Sequence, residues 1–256
     1  MSENKKEFHE IPRPEFPKRA VITGGMPYGN KKLHFGHIGG VFVFADCYAR
    51  FLRDRIGKDN VIFVSGTDCY GSPIAESYRK LCEEKGFTGT IRDFVKENHD
   101  AQKKTLGDYL ISLNMFGASG LGRTAEIHDD VTDKFIRRLY DNGHLKKIVT
   151  KQFFDEKAGC FLNGRQVVGK CPVDGCQSEK AYADECDLGH QYMPESLIDP
   201  KSTLTGEKPV MRDVENWYFD LPSYSGLLKE YVKDISAQKN VRPLVSKTIA
   251  EFLADP

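Results

Sequence analysis

The sequence predicts an α/β fold in its first half, followed by a small inserted β subdomain that holds most of the cysteines. Three observations point there. Apolar runs at Ala20–Thr23 and Asn60–Ser65 flank a stretch of helical periodicity, which is the strand–helix–strand order of a right-handed parallel crossover. Residues 73–85, 91–106 and 124–142 also repeat apolar side chains at helical spacing. From Val149 to about Tyr218 the pattern changes to short alternating runs rich in Gly, Pro, Asp and Cys, as expected of a loop-rich β unit.

Each element has its own signals. The first strand ends in Gly24-Gly25, and Pro27 and Gly29 follow, so the chain enters a turn-prone loop. Between Ile38 and Arg55, Val41, Phe42, Phe44, Ala45, Tyr48, Ala49, Phe51 and Leu52 recur at near-helical spacing and the segment closes at Gly57; this predicts a buried helix of about four or five turns. Val61-Ile62-Phe63-Val64 is a continuous apolar run of the kind found where a parallel strand is covered on both faces. Thr124 is a candidate N-cap for the helix over 124–142, with Gly143 beyond its end. The tail from Leu227 to Leu253 reads as helical. These changes divide the chain at 1–148, 149–218 and 219–256.

Composition sets limits. The 37 basic and 37 acidic residues among 256 give a formal charge of zero, so contact with nucleic acid requires a local patch. Met1–Glu10 is polar and charged, which argues against a secretory signal, and no stretch approaches the roughly 20 apolar residues of a membrane span. A cytoplasmic protein with no membrane partner is expected; nothing in the sequence speaks to oligomeric state. Of seven cysteines, Cys47, Cys69 and Cys82 are scattered, whereas Cys160, Cys171, Cys176 and Cys186 fall within 27 residues. Clustered cysteines in an intracellular chain suggest metal before disulfide.

The chemistry-bearing loop reads Met26-Pro-Tyr28-Gly-Asn-Lys-Lys-Leu-His34-Phe-Gly36-His37-Ile-Gly. It carries two histidines, with a glycine between them, where a helix begins. The partial positive charge and free N–H groups of a helix start favour phosphate, and Gly36 permits close approach of a nucleotide. Imidazoles placed there can donate hydrogen bonds to phosphoryl oxygens as charge shifts during displacement. Nucleotidyl transfer is the expected chemistry, with structural or surface histidines as the competing reading.

The cysteine-rich segment contains Cys171-Pro-Val-Asp-Gly-Cys176, then nine residues, then Cys186-Asp-Leu-Gly-His190. Two close pairs of soft or borderline ligands match closed, tetrahedral structural zinc. Reduced loop cysteines, or Cys160 in place of one of the four, are the alternatives. His9, His99, His128 and His144 lack a partner pattern and are read as surface or satisfied residues.

His34-Phe-Gly36-His37 resembles the HIGH motif of class I aminoacyl-tRNA synthetases, and Met26-Pro-Tyr28-Gly-Asn followed by His34 is similar to the loop of the methionyl enzymes. Gly66-Thr-Asp68-Cys-Tyr70-Gly-Ser-Pro-Ile74 resembles their G-T-D-E-H-G-T-P-I. Pro209-Val-Met-Arg-Asp213 and Phe219-Asp-Leu-Pro-Ser-Tyr224 continue the likeness, which runs from about Arg19 onward. Departures are Tyr70 for the usual histidine, Gly24-Gly25-Met26 for a small-residue run, Gly39-Gly40 for bulkier residues, and C-x4-C-x9-C-x3-H for C-x2-C-x9-C-x2-C.

This resemblance implies a Rossmann-like half-fold with an inserted zinc-knuckle connective subdomain. It implies that His34 and His37 are catalytic, that His34, Gly36 and His37 bind ATP, and that Met26 and Tyr28 line a methionine side-chain pocket. Asp68 would pair with the substrate ammonium group; a turn or cap role is its alternative. The implied activity is ATP-dependent activation of methionine, with magnesium on the ATP, and transfer to methionine tRNA, with structural zinc on Cys171, Cys176, Cys186 and His190. No K-M-S-K-S motif occurs, so the chain alone is expected to carry part of an active site and to be inactive. A synthetase-derived binding or regulatory paralogue without catalysis is the alternative, and a compact nucleotidyltransferase of the same superfamily has no use for the cysteine-rich insertion.

Overall fold

Strand β1 (Ala20–Thr23) opens a three-stranded parallel sheet. The chain then forms a short helix α1 (Phe35–His37), a wide π turn (Ile38–Phe42) and helix α2 (Val43–Ile56). It returns as β2 (Val61–Thr67), in register from Ala20↔Val61 to Thr23↔Val64. Helices α3 (Ser72–Lys85) and α4 (Ile91–Asp108) lead to β3 (Met115–Ala118), which pairs with β2 from Val64↔Met115 to Thr67↔Ala118. The computed structural model describes residues 15–237 and 242–254. Met1–Glu10, with His9, and residues 238–241 of the helical tail therefore lie outside the described residues. The chain divides into two units between Asp129 and Asp130.

Local chemistry explains the boundaries of the first unit. Gly57 (φ 92°) ends α2, and Gly86 (φ 66°) ends α3 in a left-handed cap, conformations that side chains with a Cβ rarely adopt. Thr90 caps α4 reciprocally: Asp93 N–H donates to Thr90 Oγ1 at 3.2 Å, and Thr90 N–H donates to Asp93 Oδ2 at 2.9 Å, a capping box.

Two sequence expectations need correction here. The apolar strands are covered on one face only within this unit. Phe63 is fully buried with Ile38, Phe42, Ala49 and Leu106, whereas Val21 and Ile62 are 69% and 48% exposed. The strand order β1-β2-β3 contains no reversal, and successive right-handed crossovers in one direction place all their helices on the same side. The helix read as buried over 38–55 is likewise one-sided. Ile38, Phe42, Ala49 and Leu52 point inward, while Phe44, Tyr48 and Phe51 are exposed.

Helix α5 (Gly122–Asp141) begins two residues before the expected cap. Thr124 lies inside its first turn, and its hydroxyl shares one proton between the carbonyls of Ala118 and Leu121, 2.7 and 2.9 Å away, while accepting from Ala118 N–H at 3.2 Å. It therefore ties the helix to the end of β3 rather than capping it. Gly143 does follow the helix, with φ 71°.

The second unit is built on a long antiparallel pair, β4 (Leu145–Asp155) with β9 (Val210–Phe219), in register from Leu145↔Phe219 to Phe154↔Val210. Between them lie β5 (Cys160–Phe161), β6 (Val167–Lys170), β7 (Ala181–Tyr182) and β8 (Ile198–Ser202). β5 adds to β4, whereas β7-β6-β8 form a separate small sheet. Its core is Phe153, Leu162, Val167, Ala181, Ala183, Cys186 and Leu197, with Cys160, Cys171 and Cys176 packed against it. Helices α6 (Ser225–Ala237) and α7 (Pro243–Ala254) complete the described residues. No helix among them is long and apolar enough to cross a membrane.

Candidate active site and metal centre

The loops after β1 and β2 meet at the carboxyl edge of the parallel sheet, where open α/β sheets bind ligands. Tyr28 and Asp68 form a parallel bridge: Gly29 N–H donates to Asp68 O at 2.7 Å, and Asp68 N–H donates to Pro27 O at 2.9 Å. Met26 and Tyr28 are half exposed beside it. A Cβ on Gly66 would sit 3.3 Å from Met26 Cε and 2.8 Å from Gly117 O, and one on Gly71 would sit 3.7 Å from Tyr28 Cε1. Gly66 thus leaves room beside the Met26 thioether and Gly117, whereas Gly71 only touches the Tyr28 ring at ordinary contact distance. Asp68 Oδ1 accepts from Tyr70 N–H at 3.0 Å, so the turn role is present, and among the described residues Asp68 makes no ion pair.

His34 is the N-cap of α1. Gly36 N–H donates to His34 Nδ1 at 3.1 Å, and His34 N–H donates to His37 Nδ1 at 3.3 Å. The two rings lie 3.9 Å apart, centroid to centroid. Because each Nδ1 is an acceptor, each neutral ring carries its proton on Nε2, so the pair presents two N–H donors. Burial, followed by the nearby His34 and Lys31, holds the His37 imidazole below its ordinary value of 6.5. His37 is then neutral at pH 7 and keeps its Nδ1 cap. Besides leaving the helix start open, Gly36 has a local reason to lack a side chain, since a Cβ there would meet His34 Cε1 at 2.9 Å. Gly24 is similarly confined: its Cβ would approach Phe42 Cε1 to 3.1 Å and Ser65 Cβ to 3.3 Å.

A polar group that the sequence reading missed lies beneath this loop. Gln102 on α4 is fully buried, and its Nε2 donates to Tyr28 O and Lys31 O, each at 2.9 Å. Its partner is Thr67, also fully buried, which in turn contacts His99. The signal was present: Val95, Gln102 and Leu106 are all buried on α4, at the spacing of an apolar stripe, and a glutamine in such a slot needs partners.

In the second unit, Cys171 and Cys176 lie on the loop after β6, and Cys186 and His190 on the loop after β7. One ligand atom from each falls within 4.8 Å of all the others. Gly175 (φ 73°) immediately precedes Cys176, and Gly189 (φ 85°) immediately precedes His190; each glycine turns the second member of its pair back toward the first. His190 Nδ1 lies 3.7 Å from Cys171 Sγ and 3.5 Å from Cys186 Sγ. A tetrahedron with metal–sulfur bonds of ~2.3 Å and a metal–nitrogen bond of ~2.0 Å has sulfur–nitrogen edges of ~3.5 Å. The donor set therefore fits one tetrahedral ion. Burial pushes the Cys186 thiol up, but the N–H groups of His190 and Leu188, with the side chains of Cys171 and Ser178, together outweigh it and bring the thiol down to about 6. Burial, and then the neighbouring thiols of Cys171 and Cys186, raise Tyr192 to about 12; its hydroxyl donates to Tyr182 O at 2.8 Å. Cys160 packs on the core but is not one of the four.

Comparison with known proteins places these features in a family. The family profile described as tRNA synthetases class I (M) matches residues 20–256. The chain is 36% identical over 217 residues to a methionine–tRNA ligase of Cytophaga hutchinsonii, covering 84% of this chain and 30% of that protein. It is 38% identical over 218 residues to one of Flavobacterium johnsoniae, covering 84% and 29%. Among solved structures, the Mycobacterium tuberculosis methionyl-tRNA synthetase in complex with methionyl-adenylate shares the fold, with a TM-score of 0.60 at 18% identity, over 93% of this chain and 39% of that one. The chain thus spans about 30% of the length of the curated relatives it matches.

Proposed function

Because the chain belongs to the class I tRNA synthetase family of the methionyl type, we propose that it supplies the methionine- and nucleotide-binding half of a methionine–tRNA ligase. In this reaction the methionine carboxylate attacks the α-phosphorus of magnesium-bound ATP. Pyrophosphate leaves and methionyl-adenylate forms; a terminal ribose hydroxyl of methionine tRNA then attacks the methionyl carbonyl and AMP leaves. The observation that carries the reading is the His34–His37 pair, whose Nδ1 atoms are both held by backbone N–H groups so that each ring has its N–H donor at Nε2. Neutral donors fixed before the reaction stabilise charge growing on phosphoryl oxygens without reorganising. Gly36 leaves the helix start open to the same phosphate.

Asp68 holds the substrate ammonium group, and its neighbour Tyr28, with Met26, lines the side-chain pocket; a flexible thioether and an aromatic face suit a thioether substrate. Cys171, Cys176, Cys186 and His190 hold structural zinc, which fixes the two loops to each other and leaves no open coordination position for catalysis. The half-fold over 1–148, the knuckle subdomain over 149–218 and the helical segment over 219–256 then divide the work between substrate binding, tRNA approach and the return of the chain. The enzyme acts in the cytoplasm. Ligand-detected NMR on this chain tests the reading: methionine should bind in preference to leucine, and Asp68→Ala should weaken it. An equal or absent response to both amino acids would favour a synthetase-derived binding paralogue.

A further inference from the structure

We propose that Gln102 is the positioning residue of the methionine- and nucleotide-binding loop, acting through a chain of directed hydrogen bonds that ends at His99. The inference rests on the synthetase reading for the identity of the ligand, but its geometry does not depend on that ligand.

The direction of every proton in the group can be worked out. Gln102 Nε2 lies 2.9 Å from Tyr28 O and 2.9 Å from Lys31 O. Carbonyl oxygens only accept, so the nitrogen faces them, and both of its protons are used. The opposite rotamer of the amide would set an oxygen against two oxygens. Gln102 Oε1 can then only accept, and Thr67 Oγ1, 2.7 Å away, donates to it. That consumes the single proton of the Thr67 hydroxyl. His99 Nδ1 lies 2.8 Å from the same Oγ1, so it must be the donor. His99 therefore carries its proton on Nδ1, the opposite tautomer to His34 and His37, with its ring stacked on Phe116 at 5.4 Å.

This arrangement places the loop from helix α4 rather than from the sheet alone. The two carbonyls held by Gln102 are three residues apart and lie between Met26 and His34, so Gln102 holds from α4 the segment joining the amino-acid pocket to the histidine pair, while Asn30 between them donates to Ser77 Oγ of α3 at 3.2 Å. Thr67 immediately precedes Asp68, whose backbone pairs with Pro27 and Gly29. The strand end and the loop are thus held by one connected group. The fit is tight: a Cβ on Gly29 would meet Val95 Cγ1 of α4 at 2.8 Å. A neutral primary amide with this reach is the side chain that can donate twice here and accept once while fully buried; a lysine in its place would bury an uncompensated charge.

The test combines Gln102→Leu with a measurement on the unaltered chain. In the unaltered chain, imidazole nitrogen NMR should find His99 protonated on Nδ1 and His34 and His37 on Nε2; an Nε2–H tautomer at His99 would overturn the proposal without any variant. In Gln102→Leu the Thr67 hydroxyl is released to donate to His99 Nδ1, so His99 should change to the Nε2–H tautomer. Amide exchange at residues 28–37 should accelerate by about tenfold or more, while exchange in β2 and α4 stays unchanged. Uniform acceleration across β2 and α4 would reduce Gln102 to an ordinary core residue, and unchanged exchange at 28–37 would refute its hold on the loop. Methionine titration separates the two readings. If the unaltered chain binds no methionine while the tautomers and exchange behave as described, the functional reading fails and the positioning role stands.

Discussion

Replacing Cys171 by serine isolates the contribution of the candidate metal centre. The four ligand atoms lie within 4.8 Å of one another, and the two sulfur–nitrogen distances, 3.7 and 3.5 Å, are those of a tetrahedral site. The unit also has an apolar core of its own around Phe153, Leu162, Val167 and Leu197, so losing the ion should loosen it rather than leave it wholly unfolded, as happens in the smallest zinc domains. At free zinc about a thousand times its dissociation constant, binding stabilises the folded form by about 4 kcal/mol. A unit of roughly 130 residues unfolds with an entropy near 0.27 kcal/mol/K, from about 2.1 cal/mol/K per residue. The melting temperature of the second unit should therefore fall by roughly 15 °C on chelation or in Cys171→Ser. Metal analysis, calorimetric melting and amide exchange over residues 150–215 are the assays. About one zinc per chain should be lost in Cys171→Ser and retained in Cys160→Ser, because Cys160 is outside the ligand set. Unchanged metal content and melting in Cys171→Ser, or metal lost only in Cys160→Ser, would refute the assignment.

Three further outcomes follow from the same coordinates. Hydroxyls of Ser202 and Thr205, with the N–H groups of Ala158 and Lys157, hold the Asp155 carboxyl down from 3.8 to about 2; the depressed value means stability present above pH 3.8 that is lost as pH falls toward 2, and acid titration of Asp155→Asn should lack that loss. Gly36→Ala should displace the His34 ring, 2.9 Å from the added carbon, and thereby weaken nucleotide binding with little change in melting; unaltered nucleotide affinity would show that the ring position is not used. Methionine-dependent pyrophosphate exchange should be negligible for the 256-residue chain alone and robust in a chain extended through a K-M-S-K-S loop, with His37→Ala in the longer chain costing about 10²–10³ in rate; strong exchange by the short chain would end the half-site reading.

The sequence exposed those parts of the molecule whose physics is local. The order β1, α2, β2 followed from periodicity and from Gly57, and the residues of both loops that converge at the sheet edge stood in motifs of a few positions. The Cys171, Cys176, Cys186 and His190 cluster was readable because two short loops, each with the second member of its pair preceded by a glycine, can close on an ion without help from distant residues. What escaped depended on direction and on partners far along the chain. An apolar run does not state on which side of the sheet its helices return; that follows from strand order, which leaves Val21 and Ile62 uncovered. Thr124 looked like a cap because its type and place near a helix start fit one, but its hydroxyl is spent on carbonyls at the end of β3. Gln102 is the clearest case: its two acceptors lie 74 and 71 residues away, and no local rule connects them. The helical stripe through Val95 and Leu106 nevertheless constrained it, since a buried amide must find donors and acceptors.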